Sequence, residues 1–312
     1  MESDRIRIPG ISDREVRRFR VFCFDFDARA NILVDEPKES WSQEAKVQWQ
    51  TSRDNLIESL KREFGAHDID RKVADFAALG TKPFSIIAHH NALFDQVRSA
   101  FVSGGYYAAL TSACALGERI LNHLVLDLRD AYKASPSYRH VCRKDSFDRW
   151  PTAIDALVEW DVLLPGPASE FRDLEKLRHR SIHFNPETTS RLREDALQAI
   201  GHVRSIIDGQ FASIGLQPWF IEGILGASFI KREWEDRPFV AQYYLQRNVC
   251  VGPLHSIEQG VGGWRFVDHP DYGVFGVDSL TDEQFKDLFN NSDPSTRARS
   301  VEPAEGGAVA VS

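Results

Sequence analysis

Between Tyr106 and Leu128, the residues Leu110, Cys114, Gly117, Leu121, Leu124 and Leu128 recur at alternating steps of four and three. That period is helical and holds one seam towards a partner. Ala108, Ala109, Ser112, Ala113 and Ala115 lie in the same segment, so a neighbouring helix can approach closely. A chain built on such a segment packs other helices around it. One helix is expected from Pro83 to Phe101, with Ile87, His90, Phe94, Val97 and Phe101 on one face. A short one is expected from Thr152 to Leu163, ended by Pro165-Gly166-Pro167. Asn185, with Pro186 after it, is expected to cap a last helix whose buried face is Leu192, Ala196, Ala199, Val203 and Ile206. Long helices are therefore predicted near 85–101, 106–130, 168–184 and 188–212.

The helix near 168–184 carries the chemistry. Phe171, Leu174, Leu177, Ser181 and Ile182 trace its apolar stripe, and Arg178 falls in or beside it. A guanidinium there needs a partner or a wet cleft. His183 lies in the last turn, because Pro186 disfavours helical geometry at Asn185. The negative end of the helix dipole favours its imidazolium. A fixed positive charge next to a group that titrates near neutrality suits chemistry on a phosphodiester.

Arg178-His179-Arg180-Ser181-Ile182-His183 resembles the RxxxxH motif of the HEPN superfamily of nucleotide-binding and RNase domains. The order of helices over about 130 residues is similar as well, including Tyr106-Tyr107-Ala108-Ala109-Leu110 and Leu116-Gly117-Glu118-Arg119 ahead of the motif. The resemblance implies a metal-independent endoribonuclease, as a toxin or phage-defence effector. Arg178 would hold the non-bridging phosphate oxygens and His183 would act as general acid or base. The 2′-hydroxyl would attack its own phosphate, leaving a 2′,3′-cyclic phosphate and a 5′-hydroxyl. It also implies a homodimer with a composite cleft, silenced by an antitoxin or another regulatory partner. Glu118 is the candidate to orient Arg178. His179 matches the polar position after the arginine, and Arg180 and Asn185 flank the pair. Toxins of this type that are silenced by adenylylation often carry Tyr two residues after the histidine; Asn185 stands there, so that control is not expected. A catalytically silent nucleotide- or RNA-binding and dimerisation module fits the same residues.

The fold class expected is mainly α, a HEPN-like helical bundle at 81–215. A small α/β region is expected before it at 1–80, a small α+β region after it at 216–290, and a disordered tail at 291–312. In the first region Val21 to Phe26 alternates as a strand that Asn31 to Val34 can pair with, and Trp41 to Phe64 reads as a helix ended by Gly65. In the third, Trp219 to Glu235 looks helical, Arg247–Val251 and Gly263–Val267 look like strands, and Thr281 to Phe289 reads as a short helix. Gly260-Val261-Gly262-Gly263 reads as a hairpin turn rather than a phosphate loop.

A net charge of −8 argues against a general nucleic-acid coat but permits a local basic cleft. Arg139, Arg143, Lys144 and Arg149 are the candidate RNA-binding residues, and Trp264 or Tyr272 could stack on a base. Cys23, Cys114, Cys142 and Cys250 are scattered and expected to be reduced. His140 and Cys142 have no partner pair at ligand spacing, and His90 lies on an apolar face, so no metal and no cofactor is expected. No apolar run approaches the ~20 residues of a membrane span, and the N-terminus lacks a signal-peptide core. A cytoplasmic location is the expectation.

Overall fold

The computed structural model describes residues 15–22, 25–143, 145–146, 149–182, 190–260, 263–269, 272, 279–292 and 309–310. In chain order the elements are β1 (Arg18–Val21), α1 (Arg29–Val34), α2 (Gln43–Phe64), α3 (Ile69–Leu79), α4 (Ala88–Val102), α5 (Tyr106–Leu128), α6 (Tyr138–Val141), α7 (Trp150–Glu159), α8 (Pro165–Ile182) and α9 (Leu192–Phe211). They continue as β2 (Ser228–Phe229), α10 (Pro238–Tyr243), β3 (Val249–Val251), β4 (Ser256–Gly260), β5 (Gly263–Val267), α11 (Asp282–Asn291) and β6 (Val309–Ala310). Among the described residues the protein is mainly helical with two small sheets. No described helix is long and apolar enough to cross a membrane.

The chain divides into two compact units, Cys23–Ala212 and Met1–Phe22 with Ser213–Ser312. The boundary expected at residue 80 falls inside the first of these.

In Cys23–Ala212, α5 is the central helix and packs against α4, α7, α8 and α9. Its stripe is buried throughout: Leu110, Cys114, Gly117, Leu121, Leu124 and Leu128. Phe171 and Leu174 of α8, Ile154 of α7, and Val203 and Ile206 of α9 complete this core. Gly117 sets the closest approach. A Cβ at that position would stand 2.5 Å from Leu174 Cδ2 and 3.1 Å from the Trp150 ring. Gly117→Val is therefore expected to cost about 1–3 kcal/mol through overpacking. Urea melts would measure it, and an unchanged midpoint would mean the helices do not meet there.

Several sequence expectations are corrected in this unit. Helix α4 begins at Ala88 rather than near Pro83, because Ser85 bridges Ala212 and the Ile86 N–H bonds the Phe211 carbonyl. Pro165-Gly166-Pro167 does not precede the motif helix but forms its first turn, where a missing N–H is harmless. Asn31–Val34 belongs to helix α1 rather than to a strand. Helix α3, with Phe76 and Leu79 buried, is not among the elements expected from the sequence. The expected cap at Asn185 and Pro186 lies outside the described residues.

In the other unit, β1 is the middle of an antiparallel sheet ordered β2-β1-β3. Arg20 pairs with Phe229, and Phe19 with Cys250. The strand thus lies at Arg18–Val21, earlier than the expected Val21–Phe26. The Phe22 N–H bonds Asn248 Oδ1, which ends the ladder. The hairpin β4–β5 closes with Gly260 opposite Gly263, and β6 adds a third strand by pairing Val309 with Phe266. Val309–Ala310 falls in the stretch expected to lack structure. Phe229, Val251, Phe266, Phe285 and Phe289 form the core. Thr281 caps α11 with a reciprocal capping box through Gln284. Trp219 to Glu235 is not a helix. Gly223 and Gly226 adopt positive φ, of 77° and 72°, and β2 follows them.

Candidate functional site

The packing at Gly117 also sets the position of Arg178. Phe171, Leu174, Leu177 and Ser181 of α8 are buried, and Arg178 lies one residue past the centre of that stripe. Glu118 lies one residue past Gly117 on α5. Bringing Gly117 onto Leu174 therefore places the two charged residues side by side. Arg178 Nη2 lies 2.9 Å from Glu118 Oε2, with the side chains 21% and 27% exposed. Fully buried Trp150 donates its indole N–H to the same carboxylate oxygen at 3.3 Å. The guanidinium carbon sits 5.8 Å from the centre of the Trp150 ring. Arg178 is thus held by a carboxylate that is itself held by the core.

Arg178 and Glu118 line a cavity of about 410 Å³. Thr111, Arg119, Asn122 and His123 of α5, and Asp145 beyond α6, contribute to its wall. The His123 ring meets that of buried His90 edge to face, at 4.9 Å between centroids. Trp150, Asn122, His123 and Asp145 were not singled out from the sequence. The repeats Glu118/Asn122 and Arg119/His123, each four apart on an otherwise apolar helix, are the signal for a polar flank.

Other candidates are placed elsewhere. His179 is exposed and pairs with Glu175 at 3.6 Å. Arg180 reaches across to the buried carboxylate of Asp195 on α9, so it serves the α8–α9 packing. Arg139, Arg143 and Arg149 are exposed and are not part of the cavity wall; Asp145 is what their connection brings to it. Tyr272 is not available to stack on a base. It is buried, and its hydroxyl donates to Asp268 and accepts from the Leu254 N–H. His183, Asn185, Lys144 and the side chain of Trp264 lie outside the described residues. Among the described residues no group of three or more His, Cys, Asp or Glu is placed to hold a metal ion.

Cys114 lies beneath this site. Burial pushes its thiol up to about 11, against the opposing pull of Ser181 and the Arg178 charge. The reactive species is the thiolate, so native Cys114 is expected to resist iodoacetamide at about pH 8 while half-buried Cys142 reacts. Peptide mapping would check this, and rapid labelling of Cys114 would contradict the packing of α5 against α8.

No family model, curated protein or solved structure matches the chain.

Proposed function

We propose that this protein is a metal-independent endoribonuclease of the HEPN type, acting through Arg178 and His183. The observation that carries the reading is the Glu118–Trp150 hold on Arg178 at a cavity of a size that takes a nucleotide. A guanidinium fixed in this way can bind two non-bridging phosphate oxygens without first being ordered. His183 follows five residues later on the same sequence stretch and supplies the proton transfers. The 2′-hydroxyl attacks the adjacent phosphorus, the 5′-oxygen leaves with a proton, and a 2′,3′-cyclic phosphate remains. The proposal includes a homodimer in which two such motifs share a cleft, a cytoplasmic location, and a toxin or phage-defence role under an antitoxin or regulatory partner.

The test is end-group analysis of cleaved RNA in the presence of EDTA. Cyclic phosphate and 5′-hydroxyl ends are expected, with 2′-deoxy substitution at the cut site blocking the reaction. Light scattering is expected to give twice the 35.4 kDa mass of the chain. Products with 5′-phosphate ends, or loss of cleavage on chelation, would overturn the mechanism.

A second reading is favoured by the same ion pair. Because Glu118 already satisfies Arg178, the pair also suits a silent nucleotide- or RNA-binding module that dimerises without cleaving. RNA retained by a well-folded protein that leaves it intact would select this reading.

A further inference from the structure

A second charged cavity of the Cys23–Ala212 unit is larger than the one at Arg178. It lies among α1, α2, α3 and α4 and encloses about 790 Å³, within the roughly 300–1,000 Å³ usual for small-molecule sites. Its apolar wall includes Phe26, Ile32 and Phe76. Phe26 is 45% exposed and is braced from behind by stacking on Phe84, with centroids 4.0 Å apart.

Three cations line this cavity, and two have carboxylate partners. Arg29 makes a two-point contact with Asp27 and a bond to Glu63. Lys82, only 4% exposed, is bound by Asp25 and Asp95. The third, Arg98, is 5% exposed. Its Nη2 donates to the Gly80 carbonyl at 2.8 Å. Among the described residues its Nη1 has no hydrogen-bond partner, and no carboxylate hydrogen-bonds to it. A buried guanidinium donor left in this way is costly. Burial pulls the Arg98 guanidinium below its ordinary range, although the charges of Asp27 and Asp95 oppose that. Arg98 lines the cavity, and its Nη1, closed to solvent in the structure, meets an entering acceptor only by a turn of the guanidinium. Around it, Asp95 is 53% exposed and, among the described residues, engages Lys82 through Oδ2 only.

The cavity therefore offers a deep donor, an acidic outer group and an apolar aromatic wall. A multiply charged anion such as phosphate suits it poorly, because four carboxylates line the same space. A simple amine leaves Arg98 unmet, and a simple carboxylate leaves Asp95 unused. We propose that this cavity binds a small zwitterion of the amino-acid type with an apolar side chain. Its carboxylate lies on Arg98, its ammonium on Asp95 and its side chain against Phe26, Ile32 and Phe76. The site is separate from the one assigned to RNA and does not depend on that assignment.

Calorimetric titration of the full chain with three probes tests it: L-phenylalanine, phenethylamine and 3-phenylpropionate. L-Phenylalanine is expected to bind at least about tenfold more tightly than either analogue, each of which lacks one charge. Arg98→Gln should reduce L-phenylalanine to the affinity of phenethylamine while leaving phenethylamine unchanged. Asp95→Asn, a change at an exposed side chain that should fold normally, should reduce it to the affinity of 3-phenylpropionate. The proposal is overturned if L-phenylalanine binds no more tightly than about 10 mM, if both analogues match it, or if Asp95→Asn leaves the preference unchanged. Inorganic phosphate binding better than L-phenylalanine would also overturn it, in favour of an anion site.

Discussion

His183→Ala is expected to lower the rate of RNA cleavage by about two to four orders of magnitude, the usual contribution of a positioned general acid or base. Arg178→Ala should fall in the same range, and Arg178→Lys should not recover it. An ammonium cannot reproduce the planar two-point contact with phosphate, nor lie against the Trp150 ring in the same way. The Arg178 variants should stay folded. The Arg178–Glu118 pair is partly exposed on both sides, and such pairs contribute roughly 0–1 kcal/mol to stability. A large loss of rate with an unchanged melting curve thus separates chemistry from structure. Glu118→Gln should give a smaller loss than Arg178→Ala, because it loosens the guanidinium without removing it. Full activity in His183→Ala would remove the histidine from the mechanism.

What could be read in the sequence follows the range of the interactions involved. Helix α5 is found where its stripe places it, because the 4-3 period runs from Leu110 to Leu128 with no proline and with Gly117 serving the packing. That Arg178 needs a partner was readable from a permanent charge beside an apolar stripe. That Trp150 steadies the partner was not, since it depends on how α7 lies against α5. The position of strand β1 is not legible locally for the same reason. Its partners, Phe229 and Cys250, lie more than two hundred residues away, and the local alternation from Val21 to Phe26 contains no information about them. The segment from Trp219 to Glu235 has apolar spacing that imitates a helix. Its glycines were the contrary signal: Gly223 and Gly226 take up the positive φ that turns the chain. Trp219 then packs against Trp234, Phe239 and Tyr244 rather than along a helix face.

The largest loss of stability is expected at Asp75, a fully buried carboxylate on α3. One oxygen accepts from Arg71 at 2.8 Å and from the Tyr106 hydroxyl at 2.7 Å. The other accepts from Arg193 Nε at 2.9 Å. Arg71 also reaches the Val102 carbonyl at the end of α4, so the network around Asp75 joins α3, α4, α5 and α9. Removing one partner of a buried ionic network leaves the others uncompensated, at about 3–5 kcal/mol. Arg71 and Arg193 are 34% and 38% exposed and can turn towards water, which favours the lower end of that range for Asp75→Ala. Asp75→Asn should recover little, because its amide would present a donor to groups that are already donors. Arg71→Ala and Arg193→Ala should each cost less than Asp75→Ala, since the carboxylate keeps one guanidinium and the tyrosine. Urea denaturation of the three single variants and the Arg71/Arg193 double variant gives the ordering. If Asp75→Ala lost no more than either arginine variant, the carboxylate would not be the centre of this network. Hydrogen exchange should show the loss first at Tyr106 and the start of α5, ahead of Glu118, so the hold on Arg178 should outlast the opening of the helix's other end.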